Sequence, residues 1–203
     1  PAGGDDGREE LGPADRAVAV LDGADRFVVA WTQDEDLDPN YADVRARVVE
    51  VNAGVVSAAV EVAVGALPQE KPVVAGLPAG GFVVAWHGYD PGGTGDDVDV
   101  YFSLCDVTLT PAVGTDPPEL TSACDPPIRA NTTTDQAQLN PTLAVSTSAG
   151  LLVLAWEDWS PYGEGIEPWN LSGIRYRLFD LDGNPAPDFV TDRPANTNTA
   201  DVQ

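Results

Sequence analysis

The sequence predicts an all-β protein built from antiparallel, four-stranded repeats. A short apolar run that ends in tryptophan occurs three times, at residues 27–31, 82–86 and 152–156, as FVVAW, FVVAW and LVLAW. Each copy follows a turn that contains glycine or aspartate and precedes a loop rich in carboxylates. The segment after each loop alternates with the period of two that is typical of a strand. Recurrence of one pattern along a chain indicates stacked structural units.

The first repeat contains all four predicted strands. Asp22 and Gly23 form a hairpin signal between the first two strands. Residues 43–51 alternate with period two, which predicts the third strand, and a tight turn at residues 52–54 leads to the fourth. We expect strands at residues 16–21, 26–32, 43–51 and 55–64, with an acidic loop at 33–42.

The second repeat follows the same order until its third strand ends. Strands are expected at residues 72–77, 81–87 and 99–107, with an acidic loop at 88–98. Residues 108–129 are rich in proline and threonine. This composition predicts an irregular insertion with at most a short fourth strand.

The third repeat is expected to place strands at residues 142–146, 151–157 and 173–181, followed by a turn that leads into 185–191. Residues 195–203 (ANTNTADVQ) echo residues 130–138 (ANTTTDQAQ). The predicted organisation is therefore a tail or the end of a preceding repeat, then three repeats, then the start of a fourth. These segments are residues 1–13, 14–68, 69–129, 130–194 and 195–203.

The tryptophans that end the three runs are 55 and 70 residues apart, a spacing that suits a four-stranded blade of a β-propeller and its loops. Because propellers close with about four to eight blades, three repeats predict a partial propeller. An open β-sandwich built from the same hairpins is the alternative. Exposed sheet edges invite pairing, so we expect other protein chains at those edges or further repeats of a larger parent chain.

The same tryptophans, Trp31, Trp86 and Trp156, are expected to pack between adjacent sheets, because each repeat needs one large residue to fill that gap. Ligand-stacking platforms are the alternative. Arg45, Arg47, Arg175 and Arg177 fall on matched strands, where we expect them to pair with acidic neighbours on the sheet face.

The second and third repeats share a lead-in, Q-x-x-P-x-(V/L)-A, which precedes the tryptophan run, a loop, an alternating strand and, in the third repeat, D-x-D-G. The lead-in residues are Gln69, Pro72, Ala75, Gln138, Pro141 and Ala144. The pattern resembles repeats of large secreted bacterial proteins of the calcium-binding haemolysin and adhesin type, over roughly residues 14–203. This resemblance implies propeller-like blades. The sialidase Asp-box (S-x-D-x-G-x-T-W) and the G-G-x-G-x-D calcium repeat are absent from the sequence.

The charge of the chain limits its partners. There are 33 acidic and 10 basic residues, and the net charge is -23. A field of that sign repels phosphate backbones and anionic lipids, so we expect no nucleic-acid partner. No apolar stretch reaches the ~20 residues of a membrane span, so we expect no membrane insertion. Low lysine content and a candidate cysteine pair favour an exported protein, located outside the cell or at its surface.

Calcium is the cofactor that the acidic loops predict, because Ca²⁺ takes six to eight oxygen ligands from flexible loops. No loop matches the EF-hand spacing, and a solvated acidic rim is the alternative. The candidate ligands are Asp34, Asp36, Asp38, Asn40, Asp43, Asp96, Asp97 and Asp99.

The loop at residues 158–172 combines aromatic rings with carboxylates, which suits carbohydrate. The alternative is that these rings fold inward and anchor a long loop. The candidate ligand-binding residues are Trp159, Tyr162, Glu164, Glu167 and Trp169.

Cys105 and Cys124 are expected to form a disulfide in an exported protein, and two free buried thiols are the alternative. His87 is the single histidine and has no nucleophile motif to support it. We therefore expect a non-catalytic, extracellular binding or assembly module, an adhesin or surface-structure component, with calcium as a stabilising ion. A carbohydrate-binding or glycoside-hydrolase-like propeller domain is the alternative.

Overall fold

The computed structural model describes residues 16–21, 25–34, 42–52, 54–64, 68–89, 98–113, 117–160 and 173–196. Over these ranges the chain forms three antiparallel sheets and one short 3-10 helix, with no α-helix. The prediction of an all-β fold of antiparallel repeats is confirmed. The described sheets do not close into a ring.

The first sheet follows the order β1-β2-β3, and β3 then pairs with both β4 and β5. Its fourth strand is predicted as one segment but is split. The break lies at Ser57, whose N–H donates to the Val48 carbonyl at 2.9 Å while its hydroxyl accepts from the Val48 N–H at 3.0 Å. The strands are β1 (Arg16–Val20), β2 (Arg26–Asp34), β3 (Ala42–Glu50), β4 (Val55–Val56) and β5 (Val60–Ala63).

The second sheet corrects the expectation of an irregular insertion over residues 108–129. Its third strand runs on to Thr110, and a six-residue strand returns along it without a register shift. The prolines of this segment, at positions 111, 117, 118, 126 and 127, all lie outside the strands and do not interrupt the pairing. The strands are β6 (Gln69–Gly76), β7 (Phe82–Tyr89), β8 (Val98–Thr110), β9 (Glu119–Cys124) and β10 (Ile128–Arg129).

The third sheet is a simple meander, β11-β12-β13-β14. Its last part differs from the sequence pattern, because a 3-10 helix at Pro187–Phe189 lies in the middle of residues 185–191 and the pairing strand comes after it. The strands are β11 (Gln138–Ser146), β12 (Leu151–Asp158), β13 (Gly173–Asp180) and β14 (Arg193–Pro194).

The sheets stack in chain order and with one polarity. In the second sheet, the face that carries Trp86 joins the buried cluster shared with the first sheet, whereas Val83 on the opposite face joins the cluster shared with the third. In the third sheet, the Trp156 face likewise packs back on the second. The first sheet contributes its Val28 face to the stack. At each of the two interfaces between described sheets, the tryptophan face of one sheet therefore packs on the face without tryptophan of the sheet before it.

The first and second sheets approach most closely at Gly76, where β6 ends. A Cβ atom at this position would meet the carbonyl oxygen of Val20 and the Cα of Leu21. Only glycine leaves room for the backbone of β1 to lie this near β6. No described helix is long and apolar enough to cross a membrane.

The predicted disulfide is confirmed. Cys105 and Cys124 are bonded and are direct register partners on β8 and β9. Both side chains belong to, or pack against, the cluster between the first and second sheets. A structural disulfide of this kind is typical of oxidising compartments.

The double variant Cys105→Ala/Cys124→Ala is expected to lower the free energy of unfolding by about 3 kcal/mol, because the bond closes a loop of roughly 20 residues. Urea denaturation measures the loss. The wild type in reductant is the control and should fall to a similar stability. Equal denaturation midpoints for oxidised wild type and variant would show that the bond contributes nothing.

Candidate functional site

Each sheet carries one buried carboxylate at the same cross-strand pair. The equivalent pairs are Gln33 with Asp43, Gly88 with Asp99, and Asp158 with Gly173. All three aspartates are buried. In the first two sheets the carboxylate lies on the third strand, and in the last sheet it lies on the second strand of the same pair.

Every one of these carboxylates faces an arginine. Arg45 lies 3.9 Å from Asp43, Arg129 lies 3.4 Å from Asp99, and Arg175 pairs with Asp158. Arg45 and Arg175 hold the same position, opposite the tryptophan of their sheet. In the second sheet Tyr101 takes that position, and the cation comes from β10. A buried carboxylate needs such a partner to offset the cost of desolvation.

Hydrogen bonds complete two of these pairs. The Asn131 amide donates to Asp99 at 2.6 Å, and its oxygen accepts from the Val100 N–H at 2.9 Å. Asp158 accepts from the Gln138 amide at 2.8 Å and from the Ser160 N–H at 3.0 Å. The sequence pattern did not identify Asn131, Gln138 or Asp158 as members of these networks.

These pairs bear on two of the predicted calcium ligands. Asp43 and Asp99 lie in separate sheets, and each is engaged with an arginine. In the described ranges no three His, Cys, Asp or Glu side chains gather as a metal cluster. Asp36, Asp38, Asn40, Asp96 and Asp97 lie outside the described residues, as does the Asp34 side chain. Calcium stays a prediction of the sequence.

The lead-in glutamines bind the tryptophans of their own repeats. The Trp86 indole N–H donates to the Gln69 amide oxygen at 2.7 Å, and that of Trp156 donates to Gln138 at 2.8 Å. A register shift in β6 and in β11 brings each glutamine into place. The sequence shows the Q-x-x-P lead-in, but it does not show that the glutamine binds the tryptophan of the same repeat.

Both register shifts contain a residue with positive φ directly before the proline. The values are 56° at Lys71 and 51° at Asn140. A left-handed residue is costly for a side chain other than glycine, so its recurrence marks the bulge as a built feature of the repeat.

Trp31 differs from its two equivalents. It is 8% exposed, yet its indole N–H has no hydrogen-bond partner among the described residues. In the sequence pattern of the repeats, Pro13, which lies outside the described residues, falls where the other repeats have glutamine, and proline has no side-chain acceptor. Trp31 also lies on the face of the first sheet that points away from the other two.

The outward face of the first sheet is largely apolar, and no described sheet packs on it; we call it the Trp31 face. Val18 and Val20 are 68% and 66% exposed. None of its apolar side chains belongs to either buried cluster. By cross-strand register its apolar residues are Val18, Val20, Phe27, Val29, Trp31 and Val49, and the same face carries Arg16, Arg45 and Arg47.

The outward face of the third sheet, which we call the Val153 face, is its counterpart at the other end of the stack. Val153 and Ala155 stand where the first and second sheets have the small residues that receive a tryptophan face. The face consists of Leu151, Val153, Ala155, Ile174, Tyr176 and Leu178. All six are only partly buried.

The aromatic loop lies mostly outside the described residues, including Tyr162, Glu164, Glu167 and Trp169. Trp159 is described and partly buried. Its backbone N–H donates to the Ala137 carbonyl at 3.0 Å, and its indole nitrogen is buried without a described partner. The structure thus places Trp159 beside the lead-in of its own repeat, and the carbohydrate site stays a prediction.

His87 links the second and third sheets. Its Nδ1 accepts from the Asn140 N–H at 3.1 Å, and its Nε2 lies 3.7 Å from the Glu70 carboxylate. The hydrogen bond with His87 holds the pKa of Glu70 below its usual value, against the opposing effect of burial. This arrangement is consistent with the structural role expected for His87.

Asp192 ties the segment after β10 to the third sheet. It accepts from the backbone N–H groups of Thr132 and Thr133 at 2.9 and 3.1 Å, and it pairs with Arg175 at 3.0 Å. Burial raises its pKa and is the largest single effect. The hydrogen bonds from both threonines and the charge of Arg175 together outweigh burial, so the pKa of Asp192 lies below 3.8.

No protein-family model matches the chain, and no curated protein matches it. Among solved structures, the chain is similar to Trypanosoma rangeli sialidase, with 9% sequence identity and a TM-score of 0.40. The match covers 89% of this chain and 37% of the sialidase chain. A likeness at this level does not bear on what this chain does. The resemblance to haemolysin and adhesin repeats stays a prediction.

Trp86→Phe is expected to lower the free energy of unfolding by about 1–3 kcal/mol more than Trp31→Phe. Both changes remove similar volume, but only the first leaves a buried glutamine oxygen unpaired. Thermal and urea denaturation of the two variants measure the difference. Equal losses would mean that the Gln69 bond is energetically neutral.

Asp192→Asn is expected to lower the free energy of unfolding near pH 7, and this loss should become smaller at acidic pH. Because the folded-state pKa lies below the unfolded value, the carboxylate stabilises the fold above about pH 4, and this contribution is lost as the pH falls through the folded-state pKa.

The measurement is the stability difference between wild type and Asp192→Asn from about pH 6 to about pH 3. Asp188→Asn, at an exposed position of the 3-10 helix, is the control. A difference that stays constant across this range would contradict the assignment.

Proposed function

We propose that this chain is a non-catalytic, extracellular assembly module that joins head to tail, with its Trp31 face receiving the Val153 face of a second copy. The observation that carries the proposal is the Trp31 face, on which no described sheet packs and whose Val18 and Val20 are exposed, whereas the equivalent faces of the other two sheets are packed between sheets. The disulfide supports an extracellular location.

The chemistry of the partner follows from the two interfaces inside the chain. In both, a tryptophan face packs on a face of small aliphatic side chains, such as Val28 with Ala30 and Val83 with Ala85. The Val153 face offers the same residue types at the same strand positions. A second copy therefore supplies the surface that continues the stack.

Assembly of this kind has a natural closed form. Each chain contributes three sheets, so two copies supply six, which lies within the range of about four to eight blades in closed propellers. The net charge of -23 on each copy opposes the association. Salt screens that repulsion, with a Debye length near 8 Å at about 0.15 M, so association should strengthen as salt is raised.

Val18→Asp/Val20→Asp is expected to abolish association, because it places two charges in an apolar contact. Both positions are exposed, so the single chain should still fold. Sedimentation equilibrium at about 0.15 M salt is the measurement. The wild type should show twice the chain mass of 21.3 kDa, and the variant 21.3 kDa.

Val190→Asp is the matched control, since Val190 is 62% exposed and lies beside the 3-10 helix and off both faces. It should associate like the wild type. A wild type that sediments as a single chain at every concentration overturns the proposal. So does a Val18→Asp/Val20→Asp variant that keeps the wild-type mass.

A further inference from the structure

We infer that the groove between the outer strands of the first and second sheets is an acceptor site for an extended peptide, which adds as a strand to the free edge of β9. The groove encloses about 770 Å³, within the range of small-ligand and peptide sites. Its walls are β4, β5 and the loop between them on one side and β9 on the other. β9 takes no part in the Trp31 face; Arg45, the cross-strand partner of Trp31, is the residue that the groove and that face share.

The β8–β9 ladder determines which backbone groups of β9 are free. The Asp125 N–H donates to the Leu104 carbonyl at 2.8 Å, and the register is continuous from Cys105–Cys124 to Thr110–Glu119. In an antiparallel pair the bonded positions alternate, so residues 119, 121 and 123 turn their N–H and C=O groups to β8. Leu120 and Ser122 turn theirs to the opposite edge.

That opposite edge has no partner strand among the described residues, since β9 pairs with β8 alone. Alternate residues of a strand lie about 7 Å apart. An incoming extended peptide presents its own N–H and C=O groups at this same interval. The edge therefore offers the main-chain hydrogen bonds by which a peptide adds to a sheet.

The other described edge strands carry features that hinder pairing or are shorter than β9; β1, for example, has five residues and begins with Arg16. β6 and β11 contain Pro72 and Pro141 next to their register shifts, and β4, β5 and β10 are two to four residues long. Proline, bulges and shortness are the devices that protect edge strands. β9 has six residues, no register shift and no Pro, Lys or Arg.

The disulfide holds this edge in place. Cys124 is the last residue of β9, and its bond to Cys105 fixes the strand to the middle of β8. Asp125 continues the ladder beyond it. A fixed acceptor strand binds more tightly because less ordering entropy is lost when the peptide docks.

The groove walls define the chemistry of the peptide. Val55, Val56, Ala59 and Val60 line the wall opposite β9, together with the ion pair of Arg45 and Glu61. The peptide side chains that face the apolar residues should be β-branched or small and apolar. The Ser122 hydroxyl is buried without a hydrogen-bond partner in the described chain and is available to a polar group of the peptide.

The negative charge of the protein determines which residues should flank the centre of the peptide. Glu119, at the start of β9, is exposed and forms no ion pair with a described residue. With a chain net charge of -23, the complementary ligand is an extended segment with basic residues flanking its apolar, β-branched centre.

The probe is a fluorescein-labelled octapeptide, blocked at both ends, with lysine at each terminus and valine alternating with threonine between them. The control peptide has the same sequence with the central backbone nitrogens methylated, which removes the donors that strand pairing needs. Fluorescence anisotropy should show binding of the first peptide and at least about tenfold weaker binding of the second.

Two protein variants test the edge itself. Ser122→Pro removes one outward N–H and leaves the ladder to β8 intact, a substitution that edge strands tolerate; it should weaken binding by about tenfold. Ser122→Ala keeps that N–H and should stay within about threefold of the wild type. Thermal unfolding of both variants verifies that they fold.

The inference is overturned if the wild type does not bind the probe, if the methylated peptide binds equally well, or if Ser122→Pro binds like the wild type. The comparison of the probe with the methylated peptide tests the inference on the wild type, even if Ser122→Pro lowers stability. Val18→Asp/Val20→Asp should bind the probe normally, so loss of assembly and loss of peptide binding are separate outcomes.

Discussion

The structure depends on one constraint: every sheet in this chain carries apolar side chains on both faces. Among the described residues, only the second sheet is packed by other sheets on both faces, with Val84 facing the first sheet and Val83 facing the third. Burial of apolar area is the main stabilising term in a fold of this size. The close approach at Gly76 and the Gln69–Trp86 bond matter because they let this double packing occur without a steric clash or an unpaired donor.

Charge is organised around the same stack. A chain with net charge -23 still places one aspartate inside each sheet, at one cross-strand pair, and supplies each with an arginine. Replacement of such ion pairs by apolar residues often leaves the stability of a protein unchanged or raises it. We therefore infer that these pairs serve to specify the register of the strands. A one-residue slip of β12 against β13 would carry Asp158 away from Arg175, and a slip of β12 against β11 would carry it away from Gln138.

The sequence was sufficient for the strands and their repeat, because the period of two and the recurring tryptophan run report directly on burial. It also predicted the Cys105–Cys124 bond. It was not sufficient where the partner lies far along the chain. Asp192 meets Thr132 across 60 residues, and Arg177 binds the Ala130 carbonyl and not an acidic neighbour. The β9 strand was missed since its composition resembles a loop, and only its pairing with β8 makes it a strand.

The stacking polarity has a consequence for any array of these sheets. Because the two end faces differ, the contact between copies is heterologous, and a closed pair needs both faces of both copies. A copy blocked at the Trp31 face still presents a competent Val153 face. Such a copy would bind an intact copy through one contact only and would keep it from closing a pair. The single polarity of the tryptophan faces thus makes this module sensitive to defective copies in the same mixture.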